Sequence, residues 1–354
     1  MIDLYTLSME ELSALLAGWG EPRFRAKQIW DWLYERRAAS IDAMTNLPKT
    51  LRDRLNAETR LGALTLAAEE SSRDGTIKRL YRLDDGQLIE SVLMDYDDER
   101  HTTCISTQAG CAMGCVFCAT GQMGFARHLT AYEIFAQAAA FARDLEARGE
   151  RLSNVVLMGM GEPFHNYDAS LVAIRLLMDR LGIGARHITV STVGLVPQIR
   201  QFADEGLQVK LAVSLHAATD EERTALLPVN KRYPLSELIS ACAYYVQKSG
   251  RRMTFEWTAI SGKNDTPEQA HTLGRLLAHI KCHVNIIPLN PTAGFGGDPS
   301  ALARIDAFIE ILAQYGITAT VRVRRGIDIN AGCGQLKSDV MRKQRANVMV
   351  VDNP

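Results

Sequence analysis

Three cysteines crowd into the segment GCAMGCVFCATG, where Cys111, Cys115 and Cys118 have the spacing Cys-x3-Cys-x2-Cys. A short loop with this spacing can wrap three thiolates around one face of a cubane iron–sulfur cluster and leave the fourth iron without a protein ligand. A structural zinc site needs four ligands, usually in two short pairs, and no second pair at suitable spacing follows. The pattern therefore favours a [4Fe-4S] cluster over zinc or unligated core thiols, with the fourth ligand coming from outside the chain.

The rest of the chain after residue 97 alternates short β-rich segments with helical ones. The β-rich segments are TTCISTQ, NVVLMG, HITVST, VKLAVSL, MTFEWTAI, HVNIIPL and ITATVRV. Repeated strand–helix–strand order predicts a parallel sheet, either open or closed into a full or partial barrel. In both architectures ligands bind beyond the carboxyl ends of the strands.

The first hundred residues have a different pattern. Residues 1–60 show helical spacing of apolar side chains, and residues 76–96 predict a hairpin whose two strands are joined by DDG. We therefore divide the chain into a helical accessory domain at 1–60, a β-hairpin linker at 61–96, a core at 97–335 and a C-terminal tail at 336–354.

The composition of the chain indicates the class of protein but does not identify its binding partners. Hydrophobic residues make up 47% of the chain, which is enough for a sizeable core, and the net charge of -1 identifies no partner. No apolar stretch reaches about 18 residues and the N-terminus lacks signal-peptide features, so we expect a cytoplasmic protein with no membrane association. In that reducing compartment clustered thiols favour metal-binding or catalytic roles over disulfides. We assign Cys242 and Cys282 to helical segments, as packing residues.

Charge is concentrated near the end of the chain. Residues 322–346 contain seven basic and two acidic side chains, a surplus of five positive charges. Such a patch could contact phosphates, although a solvated surface explains it equally well.

Small and polar residues follow several predicted strands. In GMGEP, Gly161 allows close approach of the backbone, and Glu162 can accept a hydrogen bond from an ammonium group. Other strand ends offer short groups that suit a ribose and a carboxylate: Ser191, Ser214, Leu215, His216 and Asn290. Each alone fits a capping role, but their shared position at one rim, beside the cysteine loop, favours a binding site.

The motifs STQAGCAMGCVFCATG, GMGEP, STVG, SLHA, PLNP and GCGQL occur in this order. From about residue 15 to 345 the chain thereby resembles the RlmN and Cfr family of radical S-adenosylmethionine (SAM) RNA methyltransferases. The resemblance implies an α/β fold, a partial (βα)6 radical SAM barrel, with the helical N-terminal domain binding RNA by shape. It implies a [4Fe-4S] cluster on the three loop cysteines and two SAM molecules per turnover, one as methyl donor and one as radical source.

Two further cysteines match the positions that carry the family's covalent chemistry. By the family mechanism, Cys333 takes a methyl group from one SAM, and the carbon radical made from that group adds to the adenine. Cys104 then attacks the Cys333 sulfur, which releases methylated RNA and leaves a transient disulfide for thiols to reduce. Glu90, in QLIESVL, matches the family's proposed proton acceptor, with one extra residue between it and Cys104. An exposed hairpin glutamate is the alternative interpretation.

The resemblance also implies substrates and partners. RlmN-type members methylate C2 of adenosine 2503 in 23S rRNA and also adenosine 37 of tRNAs, whereas a Cfr-like enzyme would methylate C8. No residue separates the two types, and the RlmN type is favoured as the commoner one. A radical SAM enzyme acting on a protein or small metabolite, and a non-catalytic iron–sulfur or zinc protein, remain alternatives of other classes. We expect a monomer served by an electron donor such as a flavodoxin-type reductant.

Overall fold

A helical unit begins the protein, whose computed structural model describes residues 1–36, 38, 40–61 and 64–336. Its elements are strand β1 (Ile2–Asp3), helices α1 (Met9–Gly18), α2 (Phe24–Tyr34) and α3 (Lys49–Glu58), and strand β2 (Thr59–Arg60). A capping box starts α1, because Glu11 N donates to Ser8 Oγ at 3.1 Å and Ser8 N donates to Glu11 Oε2 at 2.7 Å. Parallel pairing of β1 with β2 joins the two ends of the unit.

Three antiparallel strands follow the helical unit. They are β3 (Thr65–Ser71), β4 (Ile77–Arg82) and β5 (Leu88–Asp95). The predicted hairpin corresponds to β4 and β5, and its turn places Gly86 at a φ of 81°, which glycine adopts without a steric cost. The sequence patterns gave no signal for β3, which pairs with β4 and has a largely exposed surface.

The main body alternates strands with helices. Its elements are β6 (His101–Cys104), β7 (Gln108–Gly110), α4 (Ala119–Met123), β8 (Phe125–His128), α5 (Ala131–Ala147), β9 (Asn154–Leu157), α6 (Tyr167–Leu181), β10 (Ile188–Thr192), α7 (Val196–Asp204), β11 (Lys210–Ser214), α8 (Asp220–Leu226), α9 (Leu235–Ser249), β12 (Met253–Ala259), α10 (Pro267–Leu277), β13 (Cys282–Pro288), α11 (Leu302–Gln314) and β14 (Thr318–Val321). Strands β6 and β9 to β14 pair in parallel and in chain order, and β5 extends the sheet on the other side of β6. Each of the seven predicted strand segments overlaps one of these parallel strands.

The parallel sheet is curled around a central space. In a flat sheet, strands about 4.8 Å apart would place β6 and β14 roughly 29 Å from each other. Instead Arg322, directly after β14, has its Nη1 3.8 Å from Met158 Sδ, directly after β9, and interacts electrostatically with Cys104 at the end of β6. Among the described residues β14 pairs with β13 alone, so the barrel is open on that side. The arrangement is the partial (βα)6 barrel that the family resemblance implies, one of the architectures that the strand pattern left open.

The helical unit packs on the outside of this barrel. The ring of Tyr5 stacks on Tyr132 of α5 with centroids 3.9 Å apart and planes at 14°. The guanidinium of Arg180 in α6 lies 5.1 Å from the ring centroid of Trp30 in α2. These contacts join the unit and the barrel in one continuous hydrophobic core.

Two cysteines, the C-terminal tail and the domain boundaries were assigned from the sequence. Cys282 begins β13, so its assignment to a helical segment is wrong, whereas Cys242 lies in α9 as expected. The C-terminal tail at 336–354 and the basic residues after Leu336 lie outside the described residues. The domain boundaries stay a prediction.

Across the described part of the chain, no helix combines the length and apolar character needed to cross a membrane.

Candidate functional site

A cavity of about 950 Å³ lies at the carboxyl ends of the parallel strands. Most of the residues singled out in the sequence line it: Cys111, Cys115, Cys118, Gly161, Glu162, Ser191, Ser214, His216, Asn290 and Cys333. Leu215 does not line it, because that side chain is fully buried beside β12, with Leu215 N donating to Glu256 O at 3.0 Å. The strand-end positions therefore do converge on one space, which the curvature of the barrel brings about.

The cysteine loop is held at both ends by backbone hydrogen bonds. Strands β7 and β8 pair across its base, and Cys111 N donates to Gly124 O at 2.8 Å. Gly110, at a φ of 78°, packs so closely on Gly124 that a Cβ would overlap the Gly124 carbonyl. At the far end Ala119 N donates to Gly334 O at 2.8 Å, which ties the loop to the turn that carries Cys333.

The three loop thiols fit an iron–sulfur cluster better than zinc. Burial raises the pKa of Cys111 to about 12, and burial with the neighbouring Cys118 and Cys111 sulfurs raises the pKa of Cys115. The raised pKa values favour the protonated thiols in the absence of metal. A bound metal reverses this preference for protonation, because it coordinates the deprotonated thiolate. Among the described residues, no three Cys, His, Asp or Glu side chains converge on one ion. A cubane spreads three thiolates over three irons, so the loop suits a [4Fe-4S] cluster.

Glu162 is held inside the cavity wall by the turn that contains it. Phe164 N donates to its Oε1 at 3.0 Å, and Val193 N donates to its Oε2 at 2.8 Å. Burial raises the pKa of Glu162 to about 7, although hydrogen bonds from Val193, Thr192 and Phe164 partly offset it. An ammonium group beside this carboxylate would favour its ionised form.

Gln108, which sequence reasoning passed over, fastens this turn to the base of the cysteine loop. Its buried Oε1 accepts a hydrogen bond from Glu162 N at 2.8 Å. Its Nε2 lies 3.0 Å from both His128 Nδ1 and His165 Nδ1, so each imidazole accepts one amide proton. A Cβ on Gly161 would lie 2.6 Å from Gln108 Cβ, which explains the glycine. Gln108 belongs to the motif STQAGC, but the sequence alone does not show which groups its side chain contacts, so its role could not be predicted.

Two groups at the other strand ends could meet a ligand. Thr258 N donates to His216 Nδ1 at 2.9 Å, and burial beside the Arg223 guanidinium lowers the pKa of His216 to about 3. The imidazole is therefore neutral and carries its proton on Nε2, as a donor. Asn290 Nδ2 donates to Cys333 O at 3.0 Å, while its buried Oδ1 has no partner among the described residues. An unpaired buried acceptor of this kind fits a ligand hydroxyl or amine, as SAM provides.

A second cavity of about 740 Å³ adjoins the first and contains the remaining cysteine. Cys104 lines it, and Cys118, Asn290, Arg322 and Cys333 line both cavities. Burial, together with the Cys333 sulfur, raises the pKa of Cys104 to about 12, and Arg322 acts in the opposite direction. The structure thus brings Cys104 and Cys333 to one cavity from distant parts of the chain.

Arg322 is a second residue that sequence reasoning did not place in the site. The Cys333 sulfur raises the pKa of Arg322, and Glu256 and Cys104 add to the effect. A guanidinium beside two thiols stabilises whichever of them is deprotonated. In the sequence Arg322 is one of several arginines that follow a predicted strand. They indicate positive charge but not which of them reaches the site.

Glu90 lies apart from both cavities. It occupies the same face of β5 as Val92 and Met94, which line the second cavity, but does not itself line it. With 3% of its surface exposed, it is not the exposed hairpin glutamate of the alternative interpretation, which is wrong. Its Oε1 is 3.8 Å from Lys78 Nζ, and Lys78 also donates to Ile329 O in the segment before Cys333.

Comparisons with known proteins bear on the family and the fold of the chain. A family model described as "Ribosomal RNA large subunit methyltransferase N-terminal domain" matches residues 2–61, and one described as "Radical SAM superfamily" matches residues 105–274. "Dual-specificity RNA methyltransferase RlmN 1" of Myxococcus xanthus is 55% identical over 98% of this chain and 97% of its own. "Probable dual-specificity RNA methyltransferase RlmN" of Geobacillus kaustophilus is 46% identical over 97% of this chain and 94% of its own. The crystal structure of a radical SAM methyltransferase from Sphaerobacter thermophilus superposes with a TM-score of 0.91 at 52% identity, covering 95% of this chain and 99% of that one.

Proposed function

Because the chain belongs to the RlmN family of radical SAM RNA methyltransferases, we propose that it methylates C2 of adenosine 2503 in 23S rRNA and of adenosine 37 in tRNAs. The observation that carries the proposal is the position of Cys104 and Cys333 in one cavity next to the cysteine loop. Neither an ordinary methyltransferase nor an iron–sulfur protein without this chemistry needs two thiols there. Methylation of C8 is the alternative regiochemistry.

The residues of the first cavity would hold the cofactors. Cys111, Cys115 and Cys118 would ligate a [4Fe-4S] cluster, and Glu162 would accept a hydrogen bond from the SAM amine. Asn290 Oδ1 would accept from a ribose hydroxyl. When bound, the cluster and SAM supply a methyl group in one step and a 5′-deoxyadenosyl radical in another, so two SAM molecules are used per turnover.

Cys333 would act first, as a nucleophile. Its thiolate would attack the methyl carbon of SAM, forming a sulfur–carbon bond as the methyl–sulfonium bond breaks and S-adenosylhomocysteine leaves. Arg322 would stabilise that thiolate beforehand. The S-methyl group of Cys333 would then give one hydrogen atom to the 5′-deoxyadenosyl radical, which becomes 5′-deoxyadenosine, and the resulting carbon radical would bond to adenine C2. The unpaired electron of this adduct would pass to the oxidised cluster. This covalent route is needed because C2 is too poor a nucleophile to attack SAM directly.

Cys104 would act last, as the resolving thiol. Its sulfur attacks the Cys333 sulfur, the bond from Cys333 to the methylene carbon breaks, and that carbon takes the electron pair and a proton. The adenine C2 proton would leave to a base, for which Glu90 remains our candidate because Lys78, whose Nζ is 3.8 Å from the Glu90 Oε1, also donates to Ile329 O in the segment before Cys333. A disulfide between Cys104 and Cys333 remains until a thiol reduces it.

We further propose that the protein acts as a cytoplasmic monomer, with a flavodoxin-type reductant supplying electrons. The helical N-terminal unit would contact the RNA. These proposals rest on the family resemblance and on the composition of the chain.

Cysteine variants test the mechanism. Cys333→Ala is expected to abolish RNA methylation while SAM is still cleaved to 5′-deoxyadenosine. Cys104→Ala is expected to accumulate a covalent protein–RNA adduct, visible as a shifted band that ribonuclease digestion removes. Cys242→Ser, which alters a buried thiol in α9 away from both cavities, is the matched control and is expected to retain activity.

Mass spectrometry of digested RNA reads out the product. Recovery of 2-methyladenosine supports the C2 assignment, and recovery of 8-methyladenosine replaces it with the C8 alternative. Undiminished RNA methylation by Cys333→Ala overturns the covalent mechanism. SAM cleavage with no RNA methylation by the unaltered protein, on rRNA and tRNA alike, favours a protein or small-metabolite substrate instead.

A further inference from the structure

An open groove lies on the outer side of the cysteine loop. It encloses about 900 Å³ and is lined by Ala112, Met113, Phe164, His165, Leu195, Gln198, Pro228, Val229, Arg232 and Tyr233. These residues come from the cysteine loop, the turn after Glu162, the beginning of α7 with the residue before it, and the segment that runs from the 3-10 helix Pro228–Lys231 to Tyr233. None of them has a role in the chemistry proposed above.

The groove and the cofactor cavity share one lining residue. Met113, between the first two loop cysteines, lines both the groove and the 950 Å³ cavity that contains Cys111 and Cys115. The groove shares no lining residue with the second cavity, where Cys104 lies beside the exposed Val323. A molecule seated in the groove would therefore lie close to the cluster without blocking access through the second cavity.

The groove is apolar and carries positive charge. Seven of its ten lining residues are apolar or aromatic, and none is Asp or Glu. Arg232 is exposed, stacks over the Tyr233 ring at 5.4 Å, and has no carboxylate partner among the described residues. Lys231, also exposed, precedes it. Asp220, which lies beneath this turn, is engaged by Asn230 Nδ2 at 2.9 Å and Leu235 N at 2.8 Å.

We propose that this groove is the docking surface for a flavodoxin-type electron carrier, an inference that rests on the proposed function. The radical step starts from a cluster that has gained one electron, so the cluster must first be reduced by a partner that approaches it from outside. A flavin carrier presents a flat apolar ring edge surrounded by carboxylates, which complements an apolar groove with a cationic rim. In the docked complex the reduced flavin loses one electron and the cluster gains it, and no bond to either protein forms or breaks.

Charge reversal in the groove tests the docking. Binding of a purified bacterial flavodoxin to the reconstituted protein is measured by calorimetry at low ionic strength, for the unaltered protein and for K231E/R232E. We expect the double variant to bind at least about tenfold more weakly, and added salt to weaken binding of the unaltered protein far more than that of the variant. Arg186→Glu is the matched control, since this exposed arginine precedes β10 at the opposite ends of the strands.

A second measurement separates docking from chemistry. SAM cleavage is driven either by reduced flavodoxin or by dithionite, which is small and needs no docking surface. We expect K231E/R232E to lose flavodoxin-driven cleavage and to keep dithionite-driven cleavage. Equal flavodoxin affinity for the variant and the unaltered protein, or no binding to either, overturns the docking proposal. Absence of dithionite-driven cleavage in the unaltered protein contradicts the proposed function instead.

Discussion

Glu162 shows at the scale of one residue how burial prepares a site for a cation. Its carboxylate receives two backbone hydrogen bonds and is nevertheless held near a pKa of about 7, because removal from water costs the charged form more than those bonds return. A ligand ammonium would restore the lost interaction. The residue therefore combines a fixed geometry with an ionisation that depends on the ligand.

This ionisation predicts how stability depends on pH. Because the pKa of Glu162 is about 7 in the folded protein against 4.5 for the ordinary group, the folded state retains a proton that the unfolded state releases. Its contribution to stability is therefore fully present below pH 4.5 and is lost as the pH rises through 7, by at most about 3 kcal/mol. Glu162→Gln removes this dependence.

Urea unfolding of cluster-free protein between pH 5 and pH 8 measures the effect. The stability advantage of the unaltered protein over Glu162→Gln should shrink as the pH rises. Glu237→Gln, at an exposed position in the first turn of α9, is the control and should show a difference that stays constant. A constant difference for Glu162→Gln as well would contradict the assigned pKa shift.

At the scale of elements, the site depends on how the cysteine loop is fixed to the neighbouring turn. Strand β7 carries Gln108, whose amide bonds Glu162 N on one side and two imidazoles on the other. The amide orientation is defined because both histidines accept and the backbone N–H donates. The loop that would hold the cluster and the turn that would hold SAM thus share one anchor.

Replacing this anchor should loosen SAM binding more than it harms the fold. Gln108→Leu leaves Glu162 N unpaired in a buried position, at a cost of about 1–3 kcal/mol. We expect SAM affinity, measured by equilibrium dialysis on reconstituted protein, to fall about tenfold relative to the unaltered protein at every pH. Gln108→Glu keeps the acceptor for Glu162 N but loses the donor to the histidines.

The isosteric variant supplies a test that a purely structural role would fail. A glutamate at position 108 keeps the acceptor for Glu162 N, and each neutral imidazole can donate to it from Nδ1 in the other tautomer, whereas a leucine offers neither interaction. The SAM affinity of Gln108→Glu should therefore lie closer to that of the unaltered protein than the affinity of Gln108→Leu does. Equal losses of SAM affinity in the Leu and Glu variants would exclude the proposed clamp.

At the scale of the whole molecule, the N-terminal helical unit and the barrel are joined through aromatic contacts. Tyr5 stacks on Tyr132, and Arg180 lies over Trp30, so the two bodies share a hydrophobic core. We therefore expect them to unfold together. Such coupling would keep the unit that we propose to contact RNA at a fixed distance from the barrel.

Removal of the stacked Tyr5 ring should make the helical unit unfold before the barrel, in two separate transitions. Tyr5→Ala in a Trp257→Phe background leaves tryptophans only in the helical unit, at Trp19, Trp30 and Trp32. Loss of the half-buried ring should cost about 2–3 kcal/mol, and the fluorescence transition should then precede the loss of circular dichroism. Tyr244→Ala, whose ring lies on α9 away from the unit, should keep the two transitions together. Coincident transitions in the Tyr5 variant would show that the stack does not couple the bodies.

Much of the fold could be predicted because its signals are local. The seven parallel strands are short β-rich runs between helical segments, and the cysteine spacing limits the metal chemistry within eight residues. Strand β3 was missed because its side chains are mostly exposed and give no alternation, and Cys282 was misplaced because it stands at a strand boundary.

The sequence by itself determined the kind of chemistry: three thiols in a loop, small polar groups after parallel strands, and two more cysteines in recognisable motifs. Only the tertiary structure decided which groups meet. The curl of the sheet brings Arg322 to Cys104 and Cys333, the packing of β7 orients Gln108, and the pairing of β5 buries Glu90 outside both cavities. The physical reason is separation along the sequence. Backbone spacing fixes which residues are neighbours within a loop, whereas contacts between distant segments depend on how the whole sheet closes on its core.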